Sequence, residues 1–374
     1  MRWMLILLMV SHGLIHLVGL TQPVPLTPTL GRLALTAIDG PGSASAGVAW
    51  RALWSAACVA LLLAAVMCAL RQPYWWLVGS GAVVLSQCMI IFTWKDAKFG
   101  TIANVILAVV MAMAWADARF QREGDRLVSS LLQQSSSTPA PFSVVASDLV
   151  GLPAPVSRWL ARAGVVGQPR VRSVRLHQRG ELRTAPEQAF MPARAEQYFS
   201  VDPPAFVWRV KLRMFKTLPI VGRDSYLDGK GHMLIKAGST VSVVDAEGPT
   251  IDQGTLLRYL GELIWFPSAA LSSYVHWEPI DADRARVTMT YRGVSAAAEM
   301  TFDALGRMTQ LHALRFMGGG PDAKLQPWHV TATEWRRFSG TEVPTRGDVT
   351  WQLASGAFTY YRWTITDLQY NVTE

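Results

Sequence analysis

The sequence predicts an α+β membrane protein. An N-terminal four-helix transmembrane bundle precedes a C-terminal curved antiparallel β-sheet, a half-barrel with one main helix across it. Residues 1–116 contain only six Lys or Arg and two acidic residues, out of totals of 35 and 27, so the first third has the composition of a membrane domain. After about residue 170, apolar and polar residues alternate, which is typical of half-buried strands. This division excludes a single soluble globule, a disordered chain and a disulfide scaffold.

Four uncharged stretches predict the membrane spans, roughly residues 3–20, 50–70, 74–94 and 98–116. A helix needs about 20 apolar residues to cross the hydrocarbon layer. Tryptophans near the predicted ends fit interfacial belts: Trp50, Trp54, Trp75, Trp76, Trp94 and Trp115. We therefore assign 1–116 to a four-helix transmembrane domain, 117–145 to a helical extension and linker, and 146–374 to a soluble antiparallel β domain.

The first span resembles a signal peptide in position, but we expect it to be retained. It contains two histidines and shows no small-x-small cleavage site before the next span. The orientation of the four helices in the membrane stays open. Five Lys or Arg residues fall on the membrane side that holds both termini and four on the opposite side, so the excess of positive charge that marks the cytoplasmic side is too small to decide. The cluster Arg119, Arg122 and Arg126 after the last span favours a cytoplasmic C-terminus.

Polar residues inside the predicted spans form a second group of candidates. His12 and His16 are four residues apart and share one helix face, and Ser86, Gln87 and Asn104 are the other strongly polar residues. Intramembrane ionisable residues are functional hypotheses by default. A metal or haem site, a proton relay and interhelical hydrogen bonding to Gln87 or Asn104 are the alternatives. Since two histidines on one face cannot supply both axial ligands to one haem iron, we favour hydrogen bonding and predict no cofactor and no metal.

The β domain has its clearest strand at Phe206–Met214, where Trp208 lies on the apolar face and Arg209 on the polar one. Turn signals separate about nine or ten such strands. Only one good helix interrupts them, Thr255–Trp265, which ends before Pro267. One helix cannot cover both faces of so large a sheet, so the sheet must curl or form a sandwich. A curled sheet either has a filled core or holds an apolar ligand.

Two stretches of the β domain are candidates for a ligand-binding site. Arg223 and Asp224 lie in a charged, turn-rich segment and could pair in the interior, and Trp265 and Phe266 form an aromatic helix end that would serve as a lid or a core anchor. Glu196 with a histidine could act in acid–base chemistry or simply accept hydrogen bonds. The candidate ligand-binding residues are Trp265, Phe266, Trp208, Tyr198, Arg223, Asp224 and Glu196.

Known catalytic signatures are missing from the sequence. It contains no G-x-S-x-G, no G-x-G-x-x-G opening a helix, no Walker sequence and no H-E-x-x-H. The basic stripe Arg209, Lys211 and Arg213 is too short to indicate nucleic acid as a partner. We therefore expect a binding protein rather than an enzyme.

Motifs in both parts of the chain carry a family resemblance. The membrane part contains Gly13–Gly19 (GLIHLVG), Leu85–Gln87 (LSQ) and Trp94–Asn104 (WKDAKFGTIAN). The β domain contains Arg194–Phe199 (RAEQYF), Pro203–Trp208 (PPAFVW), Gly222–Gly229 (GRDSYLDG), Trp265–Pro267 (WFP) and Trp277-Glu278. Together they resemble a family of uncharacterised bacterial integral membrane proteins with a domain of unknown function. The resemblance implies a multi-pass protein of the bacterial inner membrane and transfers no catalytic residue.

The soluble part is also similar, in its predicted order of strands and helix, to the periplasmic lipoprotein-carrier fold, an open half-barrel with a helical lid. This resemblance implies an extracytoplasmic domain that cradles acyl chains, against the indication from the arginine cluster.

The leading hypothesis is a β domain, anchored in the lipid bilayer, that binds a lipid, a lipoprotein or another hydrophobic ligand. A scaffold for a protein partner is one alternative. Another is an enzyme acting on a membrane-derived substrate, with Arg223, Asp224, Glu196 and His276 or His232 converging. A third places the activity at His12 and His16.

Overall fold

Helices form the first part of the chain in a computed structural model that describes residues 2–21, 44–137, 142–215, 218–320 and 322–373. They are α1 (Arg2–Ile15), continued by the 3-10 helix His16–Thr21, α2 (Ala44–Ala69), α3 (Trp75–Phe92), the short α4 (Trp94–Ala97) and α5 (Gly100–Ser137). Four helical segments are long and apolar enough to cross a membrane: Arg2–Thr21, Gly47–Ala69, Trp75–Phe92 and Gly100–Ser137. The prediction of four helices long and apolar enough to cross a membrane is confirmed.

The chain divides into two compact units, Met1–Phe120 and Gln121–Glu374. The first unit packs around a small apolar core that includes Met9, Leu61, Ala64, Leu107 and Met111. Gly13 lies where α1 meets α2, and an added Cβ atom there would be only 3.2 Å from Leu61 Cβ. Small residues at such contacts let membrane helices pack closely. Large apolar side chains on the other helix faces are exposed, among them Leu7, Val59, Leu63, Val84, Ile102 and Val105. Such faces are typical of helices that contact lipid.

Two predicted connections differ from the structure or fall outside it. The connection over 21–49, between the first two predicted spans, lies mostly outside the described residues, and α2 already begins at Ala44. The sequence predicts a helix break after Gln134, but α5 continues to Ser137. The remaining linker residues, 138–141, lie outside the described residues.

The second unit contains a single antiparallel sheet of thirteen strands. The strands are β1 (Ser173–Leu182), β2 (Met191–Ser200), β3 (Ala205–Met214), β4 (Leu218–Leu227), β5 (Lys230–Ala237), β6 (Val241–Glu247), β7 (Val275–Pro279), β8 (Arg284–Tyr291), β9 (Val294–Phe302), β10 (Met308–Met317), β11 (Lys324–Phe338), β12 (Thr341–Leu353) and β13 (Gly356–Tyr370). Their order is β6-β5-β4-β3-β2-β1-β13-β12-β11-β10-β9-β8-β7. The pairing of β1 with β13 therefore joins two meanders into one sheet.

The segment between the two edge strands, β6 and β7, forms the helix predicted to cross the sheet. It comprises α7 (Pro249–Glu262) and the 3-10 helices Leu263–Trp265 and Pro267–Leu271. Helix α7 contacts β4, β5 and β6 near one end of the sheet and β8, β9 and β10 near the other. One helix reaches both ends only if the sheet is strongly curved. The predicted α+β class, with a curved sheet and one main helix across it, is confirmed.

The details of the β domain differ from the prediction in two respects. The described residues form thirteen strands instead of nine or ten. One of them, edge strand β6, is largely exposed and shows little of the burial alternation on which the prediction depends. Helix α7 begins at Pro249 rather than at Thr255, since proline is favoured at the first helical position. Upstream of the sheet lie the 3-10 helix Ala146–Leu149 and α6 (Ala154–Ala163), which Gly164 caps in a left-handed conformation (φ 80°).

Helix α7 is fixed to strand β5 through its first turns. The Asp252 carboxylate accepts hydrogen bonds from the Gly231 backbone N–H (2.8 Å) and from Lys230 Nζ (2.9 Å). A side chain at Gly231 would collide with the Thr255 hydroxyl and the Ile251 carbonyl. Glycine at this position therefore allows the close approach that seats the helix against the sheet.

Candidate functional site

A partly open cavity of about 520 Å³ lies in the second unit, between α7 and the sheet. Ligand pockets usually measure about 300–1,000 Å³. The wall is mainly apolar, and its aromatic side chains include Trp208, Trp265, Trp328, Trp351, Phe358 and Trp363. A curled sheet was expected either to have a filled core or to hold an apolar ligand, and the structure has a cavity with room for a ligand.

Strand register explains why apolar residues gather on this wall. Trp328 of β11 lies opposite Trp351 of β12, and Val330 lies opposite Val349. Residues two apart on a strand face the same side of the sheet. These four side chains therefore form one continuous apolar patch, and all four line the cavity.

A charged cluster interrupts the apolar wall. Arg258 of α7 donates from Nη1 to Asp224 Oδ2 (2.7 Å) and from Nε to Glu262 Oε1 (2.9 Å). Gln197 Nε2 donates to Glu262 Oε2 (2.7 Å). The guanidinium carbon of Arg258 also lies 4.7 Å from the ring centre of Trp208, within the range of cation–π contact. The cluster is thus satisfied by its own members and by an aromatic ring.

Burial and mutual attraction have opposing effects on the titration of this cluster. Burial raises the pKa of Asp224 and of Glu262 above their ordinary values, and the charge of Arg258 offsets only part of that rise. Burial alone would lower the pKa of Arg258, but Glu262 and Asp224 outweigh it and raise the pKa. Arg258 is therefore the group whose charge is secure at neutral pH.

Three of the predicted ligand-binding residues line the cavity: Trp208, Asp224 and Trp265. Trp265 packs edge-on against Trp363, with ring centres 5.3 Å apart. Phe266 does not line the cavity. It is fully buried and packs against Phe199 (ring centres 4.7 Å apart), because the chain turns after the 3-10 helix and directs this ring into the core.

The other three predicted residues, Glu196, Tyr198 and Arg223, lie on the opposite face of the sheet. They alternate with the inward residues Gln197 and Asp224, and neighbouring residues of a strand point to opposite faces. Thus Arg223 and Asp224 do not form an interior pair; Asp224 binds Arg258 instead.

Glu196 belongs to a polar cluster on the outer face of the sheet. It accepts hydrogen bonds from Arg175 Nη2 (2.7 Å), Arg209 Nη2 (2.7 Å) and the Tyr198 hydroxyl (3.0 Å). Burial alone would raise the pKa of Glu196, but these donors hold it below its ordinary value. Arg209 also binds Asp125 of α5. The cluster thereby connects the second half of α5 to the sheet.

The groups required by the enzymatic alternative are not brought together. Asp224 and Glu196 lie on opposite faces of the sheet. His232 Nε2 hydrogen-bonds Asp245 (2.8 Å) across β5 and β6, and His276 is exposed on edge strand β7. Acid–base partners need hydrogen-bond reach or one bridging water, and these four groups do not meet that requirement together. The histidine that lies near Glu196 is His177, with Nε2 3.4 Å from Glu196 Oε1.

Two cavity residues, Arg258 and Arg315, were not among the sequence-based candidates. For Arg258 the sequence did contain an indication, because it precedes Glu262 by four residues on the predicted helix, which is the spacing of a helical ion pair. Arg315 gave no such signal, because its partners come from distant parts of the chain.

The first unit brings the intramembrane polar residues together. His16 Nδ1 donates to the His12 backbone carbonyl (2.7 Å), and His16 Nε2 lies 2.8 Å from Ser86 Oγ. His12 Nε2 lies 2.9 Å from Asn104 Oδ1, and Asn104 Nδ2 donates to Gln87 Oε1 (3.0 Å). These hydrogen bonds connect α1 with α3 and α5.

Comparisons with known structures give matches at low TM-scores. A LolA superfamily protein from Nitrosomonas europaea is 14% identical, with 62% of this chain and 96% of that chain covered and a TM-score of 0.33. A putative outer membrane lipoprotein-sorting protein domain from Vibrio parahaemolyticus is 10% identical, with coverages of 58% and 91% and a TM-score of 0.30. A beta-barrel-like protein of a domain of unknown function from Brucella abortus is 8% identical, with coverages of 55% and 100% and a TM-score of 0.26.

Comparison with curated proteins gives no significant match. One family model, described as a family of unknown function (DUF6544), matches residues 142–363. The match covers more than half of the chain and confirms the expected relation to a family with a domain of unknown function. The chain therefore belongs to the DUF6544 family.

Proposed function

We propose that this protein is a membrane-anchored binding protein whose β domain holds a hydrophobic ligand in the cavity beneath α7. The observation that carries the proposal is the cavity of about 520 Å³ with its tryptophan-rich wall. Apolar and aromatic walls with few polar groups are usual for ligand pockets. The four spans would hold this domain on a membrane, where amphiphilic ligands are concentrated.

An extended apolar tail is the ligand chemistry that fits best. Each methylene moved from water into the cavity contributes roughly 0.8 kcal/mol before ordering costs are subtracted. The acyl chain of a lipid or of a lipoprotein has this chemistry.

Gly261→Leu tests the proposal by filling the cavity. Gly261 lies in the last turn of α7 and lines the cavity, and a Cβ atom there would make ordinary contacts, the nearest 3.4 Å from Leu311. Leucine also favours the helix over glycine by up to about 1 kcal/mol, so the substitution should not unfold α7. Because the leucine side chain occupies part of the cavity, we expect reduced photolabelling of cavity peptides by a diazirine-bearing dodecanol, measured by mass spectrometry on the full chain in phosphatidylcholine nanodiscs.

Ala161→Leu serves as the matched control. Ala161 is exposed on α6, so the substitution adds a similar apolar side chain outside the cavity and should leave the labelling unchanged. Labelling of the membrane helices reports the amount of probe in the bilayer. Equal labelling of cavity peptides in the wild type and in Gly261→Leu would show that the probe does not occupy the cavity.

A further inference from the structure

The charges that line the cavity do not balance. Three arginines, Arg183, Arg258 and Arg315, face two carboxylates, Asp224 and Glu262. Both carboxylates already accept hydrogen bonds from Arg258, at 2.7 and 2.9 Å. The excess positive charge of the lining therefore resides on the other two arginines.

Arg315 has the more weakly engaged guanidinium of these two. Its Nε donates to the Gly254 carbonyl at 3.3 Å and its Nη1 to the Tyr360 hydroxyl at 3.4 Å, both long for hydrogen bonds. Within the described part of the chain it forms no salt bridge, and its charge acts on Asp224 only at longer range. Its guanidinium carbon lies 5.0 Å from the ring centre of Trp328, which positions the group against the aromatic wall.

Arg183 is engaged differently. Its Nε donates to the Thr359 carbonyl (2.6 Å) and its Nη1 to the Pro186 carbonyl (2.8 Å). These short bonds to backbone oxygens account for the orientation of Arg183. Arg315 is thus the better candidate to receive a ligand.

Arg315 lies near the end of one of the strands that line the cavity. It is half-buried and lies two residues before Met317, where β10 ends. Trp265 and Trp363 are buried in the wall. A ligand with one charged end would place that end at Arg315 and its tail on the tryptophans.

We infer that the cavity takes an amphiphile with an anionic head, a carboxylate or a phosphate, and that Arg315 binds this head. The inference rests on the proposed function and adds the chemical class of the ligand. A guanidinium presents parallel N–H donors that match the oxygens of carboxylates and phosphates. The tail would lie along Trp265, Trp328 and Trp363.

A competition experiment on the full chain in phosphatidylcholine nanodiscs tests the inference. The diazirine-bearing dodecanol is the tracer, and unlabelled dodecanol, dodecanoate and dodecyl phosphate are the competitors, at an alkaline pH that ionises both acids. We expect each anion to displace the tracer from cavity peptides at a roughly tenfold lower concentration than dodecanol, as one charge-assisted hydrogen bond would give. If only one of the two anions displaces the tracer at a lower concentration than dodecanol, the inference is supported and the head group that Arg315 prefers is identified.

Variants of Arg315 then test whether this residue causes the preference for the anions over dodecanol. The measured quantity is the ratio of the dodecanol concentration to the anion concentration that displaces the tracer equally. Arg315→Met should reduce this ratio to about one, and Arg315→Lys should retain part of it because the charge remains. The surface variant Arg286→Met should keep the wild-type ratio. A wild-type chain whose cavity is labelled but which does not distinguish the three competitors would overturn this inference alone. Absence of labelling in the cavity would instead overturn the proposed function.

Discussion

Arg258 joins two carboxylates that would otherwise face each other in the buried wall of the cavity. The side chains of Arg258, Asp224 and Glu262 are only 14, 11 and 13% exposed. A buried charge is tolerated where it is paired and hydrogen-bonded, and removal of one partner leaves the others uncompensated. At the scale of single residues, this guanidinium therefore determines whether the cavity wall stays folded.

Arg258→Met is expected to lower the free energy of unfolding by about 3–5 kcal/mol, because it leaves Asp224 and Glu262 without their shared cation. The measurement is urea unfolding of the full chain in one detergent, followed by near-ultraviolet circular dichroism. Arg286→Met is the control, because Arg286 pairs with Glu299 at 3.2 Å on the surface, with side chains 53 and 39% exposed. Its loss should lower the free energy of unfolding by no more than about 1 kcal/mol. Equal losses in both variants would contradict the role assigned to Arg258.

The second half of helix α5 acts as a structural element of the β domain. Val128, Leu131 and Leu132 are buried in one cluster with Ala205 and Val207 of β3. This packing explains why the helix continues well beyond the apolar span that ends near residue 116. It also places a helix on the outer face of the sheet, opposite to the face that α7 covers.

Leu131→Ala should therefore destabilise the second unit by about 2–5 kcal/mol, the usual cost of truncating a buried leucine. Leu131 is fully buried, and urea unfolding would report the loss. Gln134→Ala, at an exposed position of the same helix, should change stability by no more than about 0.5 kcal/mol. If Leu131→Ala changed the free energy of unfolding as little as Gln134→Ala, the second half of α5 would not belong to the folded core.

Considered as a whole, the chain consists of one unit with apolar side chains exposed on its helices and one unit that holds most of the charged residues. The first unit exposes apolar side chains on its helices, which water would not tolerate over so large an area. The second unit, residues 121–374, contains 24 of the 27 acidic residues.

The expected behaviour of the whole molecule follows from this division. After washing of membranes with alkaline carbonate, the full chain should stay in the pellet, because four spans cannot leave the bilayer as peripheral proteins do. Residues 121–374 expressed alone should appear in the supernatant. Immunoblotting of both fractions is the measurement, and release of the full chain by carbonate would contradict the assignment of the spans.

The sequence by itself determined the spans, the change to alternating strands and the presence of one helix across a curved sheet. Each of these follows from local periodicity and charge content, which neighbouring residues reveal. The sequence also identified Trp208, Asp224 and Trp265, three residues that line the cavity.

Only the tertiary structure decided which candidates share a site. Glu196, Tyr198 and Arg223 are close to cavity residues along the chain, but strand alternation places them on the outer face. Arg315 meets Gly254 and Tyr360 through pairings between residues far apart in the chain. Such contacts depend on strand order and sheet curvature, and these arise from long-range packing that no local pattern records.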